Sequence, residues 1–264
     1  REVFAAIRDP NPVSKHGAEE LQRHGIKVHF GLCEKEARKQ NEFYIRSIVS
    51  GRPFIALKSA MTRDGFISYG NMKAKRICGK EEFAFAQDLR KKFDAVLVGV
   101  NTVIMDNPRL TYRKDPRFNP VRIVLDSKGR TPLNSRIFSQ GDETIIVCTK
   151  SAGRERVKKF IEKGAGVIIA KGSGSEVDLH WLARALYKLG LRSVLVEAGN
   201  VTGTSFLESG LLDRIYIAIA PRSVKNGLKA FSPKKSIEVK LVEKKMLGKD
   251  LLLALEKNEK ADDS

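Results

Sequence analysis

Ser193-Val-Leu-Val-Glu-Ala-Gly-Asn-Val-Thr-Gly-Thr-Ser-Phe-Leu207 reads as a buried strand that runs into two glycines and then an amphipathic helix. The strand, Ser193–Glu197, is apolar from its second residue to its fourth. A short strand without polar alternation is covered on both faces, as in parallel sheets. The N–H groups at the start of the following helix, near Thr202, lack intrahelical partners, and the macrodipole favours an anion there. Gly199 and Gly203 let the backbone approach a phosphate closely. Thr202, Thr204 and Ser205 add hydroxyl donors. The spacing is neither GxGxxG nor a Walker motif, so taken alone it fits an ordinary strand-to-helix turn equally well. Glu197 sharpens the ligand reading. A carboxylate at the C-terminal end of a buried strand stands where open α/β sheets bind ligands, and buried carboxylates are uncommon without a partner.

The same alternation extends to both sides. Upstream come a strand over 54–60, a helix over 81–93 and apolar strands over 95–100 and 121–126. A strand over 144–149, a helix over 153–163 and a strand over 166–170 follow. Ser175-Glu-Val-Asp178 has capping-box spacing and opens a helix with Leu179, Leu182 and Leu186 on one face. Downstream lie a strand over 214–220 and an antiparallel hairpin, 236–243 with 251–256, around Gly248. The pattern predicts an α/β fold with a mostly parallel sheet and flanking helices. The first 50 residues read as a small α/β piece. It has a strand over 3–7, the loop Asp9-Pro-Asn-Pro12, a helix over 18–24 ended by Gly25 and a strand over 28–30. One helix over 34–49 then turns Ala37, Phe43 (or Tyr44) and Ile48 inward. So few elements enclose little core, so this piece is expected to lean on other sequence. The polar tail, 258–264, is expected to fray.

The chain has 264 residues, 42% of them hydrophobic, and no apolar run approaches the ~20 residues of a membrane span. It begins at Arg1 without signal-peptide order and reads as a piece of something longer. Cys33, Cys78 and Cys148 are far apart and form no CxxC pair, which argues against a disulfide framework or a zinc site and for reduced thiols. The net charge is +18, with no Arg-rich tract and no interleaved aromatics. Specific nucleic-acid binding is therefore not expected, and an anionic small substrate is the simpler partner.

Three further segments carry chemistry. Asp94–Arg113 is a strand ending at Gly99, then Asn101-Thr102, Asp106-Asn-Pro108, Arg109 and Arg113. Arginine forks suit phosphate, and Arg90 on the preceding helix can point the same way. Read alone, Arg113 is equally a solvated loop charge. Asp126-Ser-Lys-Gly-Arg130 follows a strand end and suits a 2′-phosphate, or is a basic surface turn. The acidic ribose-binding residue of NADH sites is not evident. Lys58 lies inside a strand-like run, facing a ligand or a sheet edge.

Together these segments resemble the reductase domain of the RibD-type bifunctional riboflavin biosynthesis proteins. The matching stretches are RPFIALKSAMTRDG (52–65), LRKKFDAVLVGVNTVIMDNPRLTYR (89–113), NPVRIVLDSKGR (119–130), SVLVEAGNVTG (193–203) and LLDRIYIAIAP (211–221). The resemblance implies a dihydrofolate-reductase-like fold over 52–257. It also implies NADPH-dependent reduction of the ribosyl group of 5-amino-6-(5-phosphoribosylamino)uracil to ribityl. By the same resemblance Lys58, Arg90, Leu110, Arg113 and Glu197 are substrate contacts, with Lys58 and Glu197 catalytic and Arg90 and Arg113 on the phosphate and ribose end. Ala60, Thr102, Asp106, Ser127, Gly199, Asn200, Val201, Thr202, Gly203 and Thr204 are implied NADPH contacts. AAIRDPNP (5–12) resembles the end of the family's deaminase domain. Its zinc motifs are absent here, so this chain should not deaminate.

One segment departs from the pattern. Where the family has G-E-S-x-W-I-T, this chain has Met72-Lys-Ala-Lys-Arg-Ile-Cys78, so Ala74 replaces a substrate-contacting serine and Arg76 a cofactor-contacting tryptophan. Arg76 could stack on the cofactor or pair with phosphate. The competing reading is a weakened, reductase-like scaffold attached to a deaminase. A homodimer, cytoplasmic location (or an organelle, with a transit peptide) and no metal complete the expectations.

Overall fold

The computed structural model describes residues 1–14, 16–68, 76–139, 141–171 and 176–257. The capping residue Ser175, Ala74, the part of the divergent loop before Arg76, and the tail after residue 257 lie outside them. The chain divides into two compact units, Arg1–Phe54 with Ala183–Arg192, and Ile55–Leu182 with Ser193–Ser264.

In the first unit β1 (Glu2–Ala5) pairs in parallel with β2 (Lys27–Phe30), with α1 (Gly17–Arg23) between them. The helix expected over 34–49 is two, α2 (Glu34–Gln40) and α3 (Glu42–Ser50). Asn41 makes the break. Its side-chain amide donates to the Ala37 carbonyl at 2.9 Å, and its backbone leaves the helical region at φ −102°, ψ 19°. An asparagine that bonds locally competes with helix continuation in this way. Neither α1 nor α2 has a buried residue, and α3 buries only Ser47. Phe43 packs on Phe54 with the rings tilted by 38° and their centroids 4.6 Å apart.

The second unit is built on a nine-stranded sheet. In chain order its elements are β3 (Phe54–Thr62), α4 (Lys80–Lys92), β4 (Ala95–Gly99), α5 (Val100–Asp106), β5 (Val121–Leu125), β6 (Thr144–Cys148), α6 (Arg154–Glu162) and β7 (Gly166–Ile169). Then come α7 (Leu179–Lys188), which the division into units splits at Ala183, β8 (Ser193–Glu197), α8 (Asn200–Ser209), β9 (Arg214–Ala220), β10 (Val239–Leu247) and β11 (Asp250–Lys257). The spatial order is β10-β11-β9-β3-β8-β4-β5-β6-β7. The pairs β9–β3, β8–β4, β4–β5, β5–β6 and β6–β7 are parallel, and the hairpin β10–β11 and the pair β11–β9 are antiparallel. The expected α/β sheet is present. Its interior strands are buried throughout because Val96, Leu97, Val98, Ile123, Val124, Ile146, Val147, Leu195 and Val196 pack on both faces.

The chain runs outward from β3 through β4 to β7, then returns to insert β8 between β3 and β4. The strand order reverses there, and such a switch point leaves a crevice at the carboxyl ends of the strands. A fully buried Arg122 lies in β5. Its guanidinium is satisfied by Thr144, Ser139 and Asp142, so it acts as a structural charge.

Candidate active site

The crevice is a cleft of about 1530 Å³ lined from the C-terminal ends of β3, β8, β4 and β5 and from α4, α5 and α8. Two neighbouring strands, β4 and β8, lead into a glycine that caps a helix. Gly99 is the N-cap of α5, and Gly199 is the N-cap of α8. A Cβ on Gly99 would overlap the Thr202 hydroxyl. The β4 end and the α8 start therefore touch through a glycine, and the exposed amides at the start of α8 open on the same cleft. Thr102, Asp106, Ser127, Asn200, Val201 and Thr202 line this half, with Lys128 and Arg130 at its rim. Asp126, buried beneath, accepts from the N–H groups of Arg130 and Thr131 at 2.8 and 2.6 Å and from the Thr131 hydroxyl at 2.7 Å. It shapes the basic turn and does not face the cleft.

The other half holds four charges. Glu82, Ala86 and Arg90 recur every fourth residue on α4, so they share a helix face, and all three line the cleft. Glu82 pairs with Lys58 of β3. Arg90 pairs with Glu197 of the adjacent strand β8 through two bonds, Nε to Oε1 and Nη2 to Oε2, both 2.7 Å. The Arg90 Nη1 also donates to the Thr111 carbonyl at 3.2 Å. Burial opposes the charge of both Arg90 and Glu197. Pairing overcomes it, raising the Arg90 pKa and holding the Glu197 carboxyl below its usual range, with Lys58 adding to the latter. Side-chain exposure is only 12% for Lys58, 9% for Glu82, 12% for Arg90 and 16% for Glu197. Two ion pairs this dry, both facing one cleft, are an expensive way to hold a helix on a sheet. They are an economical way to present fixed charge to a polar ligand.

Eleven of the fifteen residues singled out in the sequence line this cleft: Lys58, Ala60, Arg90, Thr102, Asp106, Ser127, Glu197, Gly199, Asn200, Val201 and Thr202. Lys58 is no edge lysine, since β3 lies between β9 and β8. The others fall elsewhere. Leu110, at φ 57°, buries its side chain to 2% exposure in the cluster with Val98, Ile137 and Ile146, so only its backbone can meet a ligand. Gly203 and Thr204 belong to no turn, because α8 begins at Asn200. A Cβ on Gly203 would come within 2.9 Å of the Phe231 ring, and the Thr204 hydroxyl accepts from the Ser232 N–H at 2.9 Å. Both face the 231–232 segment. Arg113 is exposed beside Phe83, outside the lining.

Sequence reading missed Glu82. The only trace was its i, i+4, i+8 relation to Ala86 and Arg90, which is ordinary for any helix. Phe83, Ile67, Ser68, Glu176 and Leu228 were missed in the same way. Among the described residues no group of three or more His, Cys, Asp or Glu is placed to hold a metal ion, and no helix is long and apolar enough to cross a membrane.

Residues 53–253 match the RibD C-terminal domain family. The chain is 39% identical over 260 residues to the riboflavin biosynthesis protein RibD of Aquifex aeolicus, covering 96% of this chain and 72% of that protein. It is 36% identical over 213 residues to the 2,5-diamino-6-ribosylamino-4(3H)-pyrimidinone 5′-phosphate reductase of Methanothermobacter thermautotrophicus, covering 76% of this chain and 97% of that one. The solved diaminohydroxyphosphoribosylaminopyrimidine deaminase/5-amino-6-(5-phosphoribosylamino)uracil reductase of Thermotoga maritima superposes with a TM-score of 0.83 at 31% identity. That match covers 97% of this chain and 71% of that one.

Proposed function

The chain belongs to the RibD C-terminal domain family, and we propose that it reduces the ribosyl group of 5-amino-6-(5-phosphoribosylamino)uracil to the ribityl product, with NADPH as reductant. The observation that carries this reading is the paired quartet Lys58–Glu82 and Arg90–Glu197, set in one cleft with the glycine-capped start of α8.

The residues present fit a phosphorylated dinucleotide. Gly99 and Gly199 keep side chains out of the cleft floor, and the α8 amides with Thr202 offer donors for a pyrophosphate. Ser127, Lys128 and Arg130 offer a hydroxyl and two cations for a 2′-phosphate, and Arg130 is steadied by Asn101 at 3.0 Å. When bound, NADPH supplies the hydride. The protein positions and polarises. Lys58, held by Glu82, places a cation beside the oxygen or nitrogen double-bonded to the opened C1′ carbon, stabilises the charge that develops there as hydride adds, and makes C1′ more electrophilic. Glu197, held by Arg90, is an acceptor for ribose hydroxyls. The cleft wall of Ile67, Ile77, Phe83 and Leu228 limits water around the reacting carbon.

Residues 1–50 read as the C-terminal part of a deaminase-type domain. They lie outside the family match at 53–253, yet the Aquifex aeolicus and Thermotoga maritima relatives align over 96% and 97% of the chain. The test mixes the protein, NADPH and the phosphoribosylaminouracil and follows the reduced nicotinamide absorbance. Steady NADPH loss that disappears in Lys58→Ala supports the reading. No NADPH loss beside an active relative sinks it.

A further inference from the structure

Lys58 stands in the setting that turns a lysine into a nucleophile. Its side chain is nearly dry, its strand has neighbours on both sides, and it faces a cleft. Loss of hydration favours the neutral form of a buried lysine, and a neutral lysine condenses with carbonyl and imine carbons. The ring-opened sugar proposed as substrate carries such a carbon at C1′. A free amine on Lys58 would attack it before the hydride does.

Two carboxylates lie near enough to matter. Glu197 is engaged by Arg90 through two 2.7 Å bonds. Glu82, itself buried, pairs with Lys58. Helix α4 makes this division, since Glu82 and Arg90 stand two turns apart on one face. One helix thus sets a carboxylate against the cation of β3 and a cation against the carboxylate of β8. Ala86, small and buried between them, leaves that face open to the cleft. An ammonium bonded to a carboxylate has no lone pair to offer and acts as a donor alone. For holding α4 to the sheet an apolar pair would serve as well as this dry ion pair. Keeping a proton on Nζ is something an apolar pair does not do.

We propose that Glu82 decides which reaction Lys58 performs: it keeps Lys58 an ammonium, so that Lys58 donates to the opened sugar and does not condense with it. The assignment rests on the reading above that the substrate is a ring-opened phosphoribosylaminopyrimidine. The suppressed side reaction is an exchange of imines. The Lys58 Nζ–C1′ bond forms, the bond from C1′ to the pyrimidine nitrogen breaks, and both protons of the neutral Nζ pass to the departing pyrimidine amine. Nothing is oxidised or reduced, and the sugar stays on the protein.

The test needs no turnover. The full chain is incubated at neutral pH with ribose 5-phosphate, whose open form is an aldehyde, and with cyanoborohydride to fix any imine, without NADPH. Peptide mass spectrometry then reads the sugar adduct on each lysine. In the wild type Lys58 should label no faster than the surface lysines. In Glu82→Gln it should label roughly tenfold faster or more, the gain in free amine when an opposite charge is withdrawn. Glu82→Asp, which keeps a carboxylate, should lie between them, and the surface lysines should label alike in all three. If Glu82→Gln does not fold, Glu82→Leu carries the comparison. In turnover with NADPH and the phosphoribosylaminouracil, Glu82→Gln should release free diaminouracil beside the ribityl product, and the wild type should not. Equal Lys58 labelling in the wild type and in Glu82→Gln overturns the proposal, as does a wild type whose Lys58 is the fastest lysine to label. Glu82-dependent labelling in a protein that consumes no NADPH would leave the guard on Lys58 standing and remove the reductase reading. NADPH consumption with labelling indifferent to Glu82 would do the reverse.

Discussion

Removing the Glu197 carboxylate strands a guanidinium. Arg90 and Glu197 are each mostly buried and joined by two 2.7 Å bonds. Glu197→Gln should therefore cost about 3 kcal/mol of unfolding free energy, because the cation stays buried without its partner. Chemical denaturation measures it, and a loss below about 1 kcal/mol would mean that Arg90 re-pairs or hydrates. The pair also sets an acid limit. The folded Glu197 carboxyl lies below its ordinary value, so its contribution is whole above about pH 4.3, the unfolded glutamate value, and is lost as pH falls further through the folded value. In Glu197→Gln the stability-versus-pH curve should be flatter across that acid window and parallel to wild type near neutrality. The thiols divide by burial in the same way. Desolvation pushes Cys78 and Cys148 up to about 12, while Cys33 is exposed. Iodoacetamide on the native protein at neutral pH should mark Cys33, and mass spectrometry should find the other two only after unfolding.

At the scale of elements the cleft depends on how closely β4 approaches α8. A Cβ on Gly99 overlaps the Thr202 hydroxyl, although the Gly99 backbone is unstrained at φ −78°, ψ 152°. Gly99→Ala should cost about 1–3 kcal/mol through this overlap, the usual range for overpacking. Trimming the facing side chain in Gly99→Ala/Thr202→Ala should return most of it in thermal unfolding. Equal destabilisation of the single and double variants would place the strain elsewhere. Strands such as Ser193–Glu197 and Arg214–Ala220 were readable to the residue, because a short buried strand announces itself by unbroken apolar residues. The start of α8 was read two residues late, and Gly203 was taken as phosphate cradle when it makes room for Phe231. A glycine's reason lies in what approaches it, and residue 231 is remote in sequence. The same holds for Glu82, whose partner Lys58 comes from a strand that no periodicity links to it. The break at Asn41 escaped notice because 34–49 has helical composition on both sides of it. What a periodic pattern encodes was visible, and what depends on a long-range partner was not.

At the scale of the molecule the +18 charge suits the anionic ligands proposed above. Residues 1–50 carry nine Lys/Arg against seven Asp/Glu, so nearly all the excess lies beyond them, with the cleft. The proposed reactants, NADPH and the phosphorylated pyrimidine, are both anions, and a positive field of this size would raise their encounter rate without touching the chemical step. Between about 0.01 M and about 1 M salt the Debye length shrinks from about 30 Å to about 3 Å, so steering is present at one end and gone at the other. Over that range kcat/KM for both reactants should fall by roughly tenfold or more while kcat holds steady. A DNA duplex added as competitor should inhibit only at the low end, because counterion release makes such binding collapse with salt. A kcat/KM that ignores salt in the wild type would assign the whole of the recognition to the cleft and leave the surface charge without a part in catalysis.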